Sequence, residues 1–465
     1  MFTKYTYQDW ERTEAVKRPE VLLKMIEAYK HSGDFALALT AGRYFRGEND
    51  EVMNKCILRK GTYTYTGKDG KERTVANDIP VVGNRVPSNY FFRFVTQQNQ
   101  YLLSNGVSLE SDEIKNRLGA GFDKTLEHMG EKSLIQGVCW AYWNNGRVEV
   151  LEAARDENSG FFAVVDEADS RPRMGVQFWR IDSSRPMYIR LFEEDGVTMY
   201  KAEKNKAQET EQKRPYILRV ARDAAGETIT GGANYKALPI IPLYANGERR
   251  SELSPSIKAK IDAYDRISSD FVDNLDKAND VMWVLNNFGG SKRELLEMVN
   301  TIRETGIIAN MSDGMGGNAS AEPKAFEVPY AARKTALEIL DRELYKDYMA
   351  LSMDELTGGS LTNVAIRTAT ANLELKADRY EWQIFDFVQR LLRFLGIDTE
   401  VIKFRRQTIS NESETVADIY TMRNDIDRRT ALRLNPYIAE DEIDAIMLAV
   451  DKDEIAGADI EVPEV

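Results

Sequence analysis

Histidine is the side chain most often recruited for proton transfer near neutral pH, and the chain has only two, His31 and His128. His31 lies in the polar turn Lys30-His-Ser-Gly-Asp34 and His128 within a helical pattern, and neither stands in HxxxH, HExxH or HxE spacing. That placement argues against a general base or a histidine metal ligand. Gly61-Thr-Tyr-Thr-Tyr-Thr-Gly67-Lys68 approaches a phosphate-binding loop. It has one residue too many before the second glycine, and Asp69 stands where a magnesium-ligating Ser or Thr belongs. Its Tyr/Thr alternation reads instead as a strand running into the turn Lys68-Asp69-Gly70. Gly314-Met-Gly316-Gly317 carries a fragment of a dinucleotide fingerprint, but the Asn-Ala-Ser-Ala-Glu-Pro that follows cannot continue into a cofactor-binding helix, so it reads as a flexible loop. Cys56 and Cys139 lie outside any CxxC or Cys/His spacing and read as core thiols of a reducing compartment. Carboxylates are plentiful, but nothing in the pattern makes them converge from strand ends as a metal-dependent nuclease needs. The inventory predicts no catalytic residue, no cofactor and no metal.

The elements that would carry any function must then be read from size and periodicity. At 465 residues the chain exceeds what one hydrophobic core supports, so several domains or an elongated subunit are expected. With 43% hydrophobic and 29% charged residues it is folded rather than disordered. No run approaches the roughly 18 apolar residues of a membrane span. The opening stretch MFTKYTYQDWERTEAVKR lacks the apolar centre of a signal peptide, so neither membrane nor export is expected. Sixty-two Lys plus Arg against 75 Asp plus Glu give a net charge of −13, which repels a polyanion. This excludes wrapping of nucleic acid by the whole surface, though not DNA moving past the protein ungripped.

Apolar spacing predicts helices over Pro19–Tyr29, Asp34–Phe45, Ser88–Leu103 and Phe122–Gly137. From Val138 to Val220 the period shifts to two, predicting an antiparallel sheet, with Lys201–Arg214 as an exposed polar loop or a solvated charged helix. A continuous seam of Ile257, Ile261, Tyr264, Ile267, Phe271, Leu275 and Ala278 predicts one helix over Ser254–Asp280, about 40 Å long. A compact insert, Val281–Val328, reads strand (VMWVLNNF), helix (KRELLEMVNTI), strand (GIIANM), glycine-rich loop and strand (KAFEV). A second seam follows through Leu337, Leu340, Leu344, Tyr348 and Leu351. The short loop Ser352–Asn363 then leads into a third helix carrying Ala369, Leu373, Ala377, Tyr380, Ile384, Phe387, Leu391 and Leu395. Glu412–Glu454 reads as two or three short acidic helices. Long helices flanking a small domain are hard to bury within one subunit, and copies of the same chain are their natural partners. The residues alone leave open a cytoplasmic helical scaffold without a DNA role and a nucleic-acid enzyme with dispersed carboxylates.

Four colinear segments carry a resemblance. They are Tyr44-Phe-Arg-Gly-Glu-Asn49; Asn84-Arg-Val-Pro-Ser-Asn-Tyr-Phe-Phe-Arg-Phe-Val-Thr-Gln-Gln-Asn-Gln-Tyr-Leu-Leu103; Leu238-Pro-Ile-Ile-Pro-Leu-Tyr-Ala-Asn246 running into Ile261-Asp-Ala-Tyr-Asp265 and Ser268-Ser-Asp270; and Gly358-Gly-Ser-Leu-Thr-Asn-Val-Ala365 with Leu373-Glu-Leu-Lys-Ala377. Together they resemble the portal proteins of tailed bacteriophages, of the siphophage type of Gram-positive hosts. The resemblance implies an α+β, mainly helical subunit without catalytic chemistry. It implies a homo-oligomeric ring, usually a dodecamer, at one capsid vertex of the virion, through which double-stranded DNA is packaged and ejected. It further implies a terminase packaging motor, major capsid and scaffolding proteins and head-tail adaptor proteins as partners. By position, residues 1–250 correspond to a wing, 251–280 and 329–351 to two stem helices, and 281–328 to a clip. Residues 352–363 then correspond to a tunnel loop, 364–404 to a long wing-to-crown helix and the segment after it, and 405–465 to a crown. Leu361-Thr362-Asn363 departs from the small residues that family members often carry before that helix.

Two sets of residues become candidate sites. The first is the tunnel loop, Leu356, Thr357, Gly358, Gly359, Ser360, Leu361, Thr362 and Asn363, where glycines allow unusual backbone angles and apolar and hydroxyl groups offer contacts to DNA without a charged grip. The second is an acidic stripe, Asp262, Asp265, Asp273, Asp276 and Asp280, at helical spacing beside the first seam. It reads either as an ordinary solvated face or as a phosphate-repelling wall.

Overall fold

Between residues 138 and 220 aromatic and β-branched side chains alternate with polar ones and are punctuated by turn residues, and that stretch folds into strands. The computed structural model describes residues 3–55, 57–59, 62–66, 72–76, 79–81, 83–204, 206–223, 226–278, 282–286, 320–324, 330–353, 362–398, 401–406, 411–422, 425–438 and 442–449. Its longer helices are α1 (Arg18–Lys30), α2 (Gly33–Phe45), α3 (Tyr90–Leu103), α4 (Phe122–Gln136), α5 (Pro255–Ala278), α6 (Tyr330–Tyr348), α7 (Asn363–Phe394) and α8 (Glu412–Thr421). The principal strands are β1 (Val138–Asn144), β2 (Arg147–Glu152), β3 (Ala154–Asp156), β4 (Ser159–Val165), β5 (Pro172–Arg180), β6 (Met187–Glu193), β7 (Gly196–Glu203), β8 (Lys206–Arg214) and β9 (Ile240–Tyr244). The protein is thus a mixed helix and sheet structure. It divides into two compact units, one of Met1–Gly42, Phe91–Leu253 and Tyr345–Val465, the other of Arg43–Tyr90 and Ser254–Leu344.

In the first unit β3 to β8 form an antiparallel meander in chain order, and β9, β1 and β2 form a three-stranded sheet with β1 central. Met174, Val176 and Phe178 of β5 and Ile189 and Leu191 of β6 point into the core. There they join Trp10, Tyr29, Phe35, Phe161, Phe162 and Phe192 in one continuous cluster. Tyr29 packs on Phe162 with ring centroids 4.8 Å apart, and its hydroxyl donates to the Ala153 carbonyl at 3.0 Å, so the aromatic body and the polar tip are both satisfied. α4 ends at Gly137, whose φ of +88° favours glycine; a Cβ there would meet the Arg249 carbonyl at 2.8 Å.

Three expectations are corrected. Lys201–Arg214 is not a loop: Gly196–Glu203 and Lys206–Arg214 are paired strands. All of β8 except Ala207 is exposed, so no apolar alternation marks it, and its charges suit a sheet edge. In the second unit, Met282–Asn286 pairs antiparallel with Ser320–Lys324, which overlaps the expected strand only at Lys324. The tail helix Arg428–Leu434 is basic rather than acidic, with Arg428, Arg429 and Arg433. The remaining elements expected between Val281 and Val328 lie outside the described residues. Thr62–Thr66 is a strand paired with Glu72–Ala76, and the turn expected at Lys68-Asp69-Gly70 also lies outside them.

Candidate functional site

α5 spans 24 residues, about 36 Å at 1.5 Å per residue. Ile257 and Ile261 begin its buried seam, and Tyr264 meets Tyr90 edge-on at 5.0 Å, while Leu275 is exposed. Beside that seam the extended segment Asn84–Ser88 lies along the helix as a strap. Its alternate main-chain N–H groups donate to side chains one helical turn apart: Ser88 to Asp265 Oδ1 at 2.9 Å, Val86 to Ser269 Oγ at 3.1 Å and Asn84 to Asp273 Oδ1 at 2.7 Å. The register works because two residues of extended chain advance roughly 6.6 Å and four residues of helix about 6 Å. Asn49 Nδ2 donates both to the Ser88 carbonyl and to Asp265, and Lys55 Nζ lies 2.5 Å from Asp273 Oδ2 and 3.0 Å from Asp270.

Members of the acidic stripe differ in exposure. Asp265 and Asp273 are 0% and 8% exposed and are spent on the strap and on Lys55. Asp262 accepts from the Tyr44 hydroxyl and pairs with Lys258 at 2.8 Å. Asp276 is exposed and accepts from Asn84 Nδ2 at 2.6 Å, and Asp280 lies outside the described residues. Burial pushes the Asp265 carboxyl above its ordinary value, against the hydrogen bonds from Ser88 and Asn49. Burial acts the same way on Asp273, but there Lys55 and the Asn84 N–H outweigh it and hold the pKa below the ordinary value.

The loop between α6 and α7 is anchored at both ends within the first unit. α6 closes at Met349, with φ of +62°, where the Met349 N–H donates to the Lys346 carbonyl at 3.1 Å and the Ala350 N–H to the Tyr345 carbonyl at 3.0 Å, the paired bonds of a Schellman motif. Gln97 then clasps the peptide of Leu351, accepting from its N–H at 2.9 Å and donating to its carbonyl at 3.1 Å. The Tyr348 hydroxyl donates to Gln98 Oε1 at 2.9 Å, and its ring stacks on Phe94 at 4.5 Å. Lys376 reaches from α7 to the Tyr348 carbonyl at 2.8 Å and to Glu252 at 2.9 Å, with its ammonium 3.2 Å from the Tyr348 ring centroid. Burial lowers the Lys376 pKa, opposed by Glu252.

On the far side Thr362 Oγ1 accepts from the Ala365 N–H at 3.2 Å and caps α7. Asn363 donates from its N–H to Glu414 at 2.5 Å and from Nδ2 to Thr415 Oγ1 at 3.3 Å, and it accepts from the Asn411 N–H at 2.8 Å. Of the eight loop candidates, Thr362 thus caps α7, Asn363 bonds to the N-terminus of α8, and Leu356 to Leu361 lie outside the described residues. Sequence reasoning missed Gln97, Gln98, Lys376 and Asn411. A run of four amides, Gln97-Gln-Asn-Gln100, on an otherwise apolar helix was the available signal.

His31 and His128 are both exposed, and Cys139 is buried, its Sγ 3.8 Å from the Leu151 carbonyl, with burial pushing the thiol pKa up. Cys56 lies outside the described residues. Among the described residues no group of three His, Cys, Asp or Glu side chains is arranged to hold a metal, and no helix is long and apolar enough to cross a membrane.

Two relatives are similar over most of their length. The portal protein of Clostridium phage phiCD119 is 25% identical over 426 residues, covering 87% of this chain and 90% of the relative. The portal protein of Bacillus phage SPP1 is 25% identical over 442 residues, covering 86% and 80% respectively. The sequence profile of the phage portal proteins, SPP1 Gp6-like, matches residues 28–456, and with the match running through the strap, α5, α6 and the long α7, the chain belongs to that family of phage portal proteins.

Proposed function

We propose that the protein acts as a ring of about twelve copies at one capsid vertex, forming the channel through which double-stranded DNA enters and leaves the head. Portal proteins are structural, non-enzymatic components of the virion, in keeping with isolated histidines and a failed phosphate-loop pattern. The observation that carries the proposal is the family match over residues 28–456. Val364, Leu375 and Trp382 support it: they stand 73%, 58% and 71% exposed on α7, opposite a face on which Ile366, Leu373, Ala377 and Tyr380 are buried, and a second copy would cover them. α5 and α6 serve as the stem, the segment between them as the clip that meets the terminase motor and later the head-tail adaptor proteins, and the tail as the crown. The wing faces the major capsid and scaffolding proteins. A subunit charge of −13 suits a conduit that must not hold phosphates, since a wall that paired with them would release counterions and stall the strand.

In this reading Leu356 to Leu361 form a collar around the duplex, carried on the two anchored ends. Light scattering should give a mass many times the 52.9 kDa subunit, with a central hole visible by negative-stain microscopy. A monodisperse monomer at micromolar concentration would refute the ring. Replacing Gly358 and Gly359 with Val should preserve rings and reduce nuclease-protected DNA per capsid. Equal protection in variant and wild type would remove the loop from DNA transport.

A further inference from the structure

One face of α3 reads the end of α6 residue by residue. Phe94, Gln97 and Tyr101 stand three and four residues apart, so their side chains share that face. Phe94 meets the Tyr345 ring edge-on at 5.3 Å and stacks on Tyr348 at 4.5 Å. One turn further along, Gln97 takes both main-chain groups of Leu351, the N–H at 2.9 Å and the carbonyl at 3.1 Å. Tyr101 then packs with the buried Leu351 side chain in a small apolar cluster whose other members are Ile366, Leu373 and Ala377 of α7. Leu351 and Ile366 flank the loop, so both of its ends start from one apolar site. They are not held alike. At the α7 end Thr362 caps the helix, and Asn363 bonds to Asn411, Glu414 and Thr415. At the α6 end the Schellman bonds stop at Ala350, and among the described residues the backbone of Leu351 hydrogen-bonds with Gln97 alone. Glutamine suits the place because its amide both donates and accepts.

We infer that Gln97 is a positioning residue for DNA transport: by fixing the main chain at Leu351 it sets the length of chain with which the collar reaches the duplex. The inference rests on the reading of Leu356 to Leu361 as that collar. Without the clasp Leu351 passes to the loop, and each residue so gained adds up to about 3.4 Å of reach. In a ring the slack counts on both sides of the channel, about 7 Å in all, and loops of unset length keep no common radius around the strand. Gln97 itself touches no DNA in this role. It acts through the point at which the loop departs.

The test compares rings and filled heads made with the full-length protein. Gln97→Met keeps the length of the side chain and removes both bonds. It should leave ring yield by microscopy unchanged and lower hydrogen-exchange protection of the Leu351 N–H about tenfold, the effect of losing two neutral hydrogen bonds. Nuclease-protected DNA per capsid should fall. Deleting Ser352 from the wild-type chain shortens the loop and should lower protected DNA as well. In the Gln97→Met background the same deletion takes up the released residue and should restore it. A purely structural role for Gln97 makes the two losses add, so failure of the deletion to rescue overturns the inference. Full protection in Gln97→Met also overturns it when the variant with Gly358→Val and Gly359→Val loses protection. Full protection in both variants removes the collar, and the inference falls with it. If Gln97→Met does not assemble, Gln97→Asn carries the same comparison, since it keeps an amide on α3 but is one methylene too short to hold both bonds.

Discussion

The strap on α5 and the junction between α6 and α7 each hold irregular backbone against a long helix, one chiefly with carboxylates and the other chiefly with side-chain amides. At the strap, Asp265 and Asp273 only accept, and the peptide N–H groups of Asn84 and Ser88 supply the donors. At the junction Gln97 both gives to and takes from the backbone of Leu351, and the Asn363 side chain does the same toward α8, giving to Thr415 and taking from the Asn411 N–H. An amide that satisfies donor and acceptor together carries no net charge and does not titrate. The strap is therefore the more pH-dependent attachment of the two; besides the Glu414 carboxylate that accepts from the Asn363 N–H, the junction depends on charge where Lys376 meets Glu252.

The largest effect should come from that ion pair. Lys376→Ala leaves the partly buried Glu252 with the Asn246 amide but without its cation and frees the Tyr348 carbonyl, at a cost of about 3 kcal/mol by chemical denaturation. A loss below about 1 kcal/mol would mean that the amides alone hold the junction. Asp273→Ala should cost about 2 kcal/mol, because Lys55 keeps Asp270 while the Asn84 N–H loses its acceptor. Faster hydrogen exchange at Asn84 than at Leu351 is the local readout.

Acidification should discriminate between the regions more gently, since a protonated carboxyl keeps some accepting capacity. The Asp273 pKa is depressed, so its stabilisation is present above the ordinary value of 3.8 and is lost as pH falls through the lower folded value. The Asp265 pKa is raised, so its ionised form is a cost at neutral pH, and that cost disappears as pH falls through the raised value toward 3.8. Exchange protection at Asn84, corrected for intrinsic rate, should therefore hold down to about pH 3.8 and fall below it, with Leu351 unaffected at the same pH. Loss of protection at Asn84 already near pH 5 would show that Asp273 is not held by Lys55 as described. The smallest change is expected for Asp276→Ala, within about 0.5 kcal/mol, because this member of the stripe is exposed and its bond to Asn84 competes with water.

Periodicity disclosed α5 and α7 nearly to their ends, since apolar spacing is set by the helix itself. It placed Asp262, Asp265, Asp273 and Asp276 on one face but not what covers them. For Asp265 and Asp273 the covering groups include main-chain N–H groups some 180 residues away in sequence, and every residue except proline carries one, so composition does not advertise them. Asn84–Ser88 carries part of the family resemblance, and its role on α5 stays hidden in the sequence for the same reason. β8 escaped because a strand exposed on both faces has no apolar alternation to detect. At the end of the loop the bonds of Asn363 to Asn411, Glu414 and Thr415 depend on tertiary structure and leave no mark in the local sequence.

The strap also has a parity. Donors are needed at residues 84, 86 and 88 but not at 85 and 87, and the proline of this stretch, which has no N–H to give, is Pro87, an odd position. A proline moved one place either way would erase a rung. Inserting one residue between Val86 and Pro87 would put the imide nitrogen opposite Asp265 and leave nothing to donate there, whereas an insertion of two would restore the alternation and lengthen the strap by one step. Among variants of this chain, insertions and deletions between 84 and 88 should thus be tolerated by evenness rather than by size.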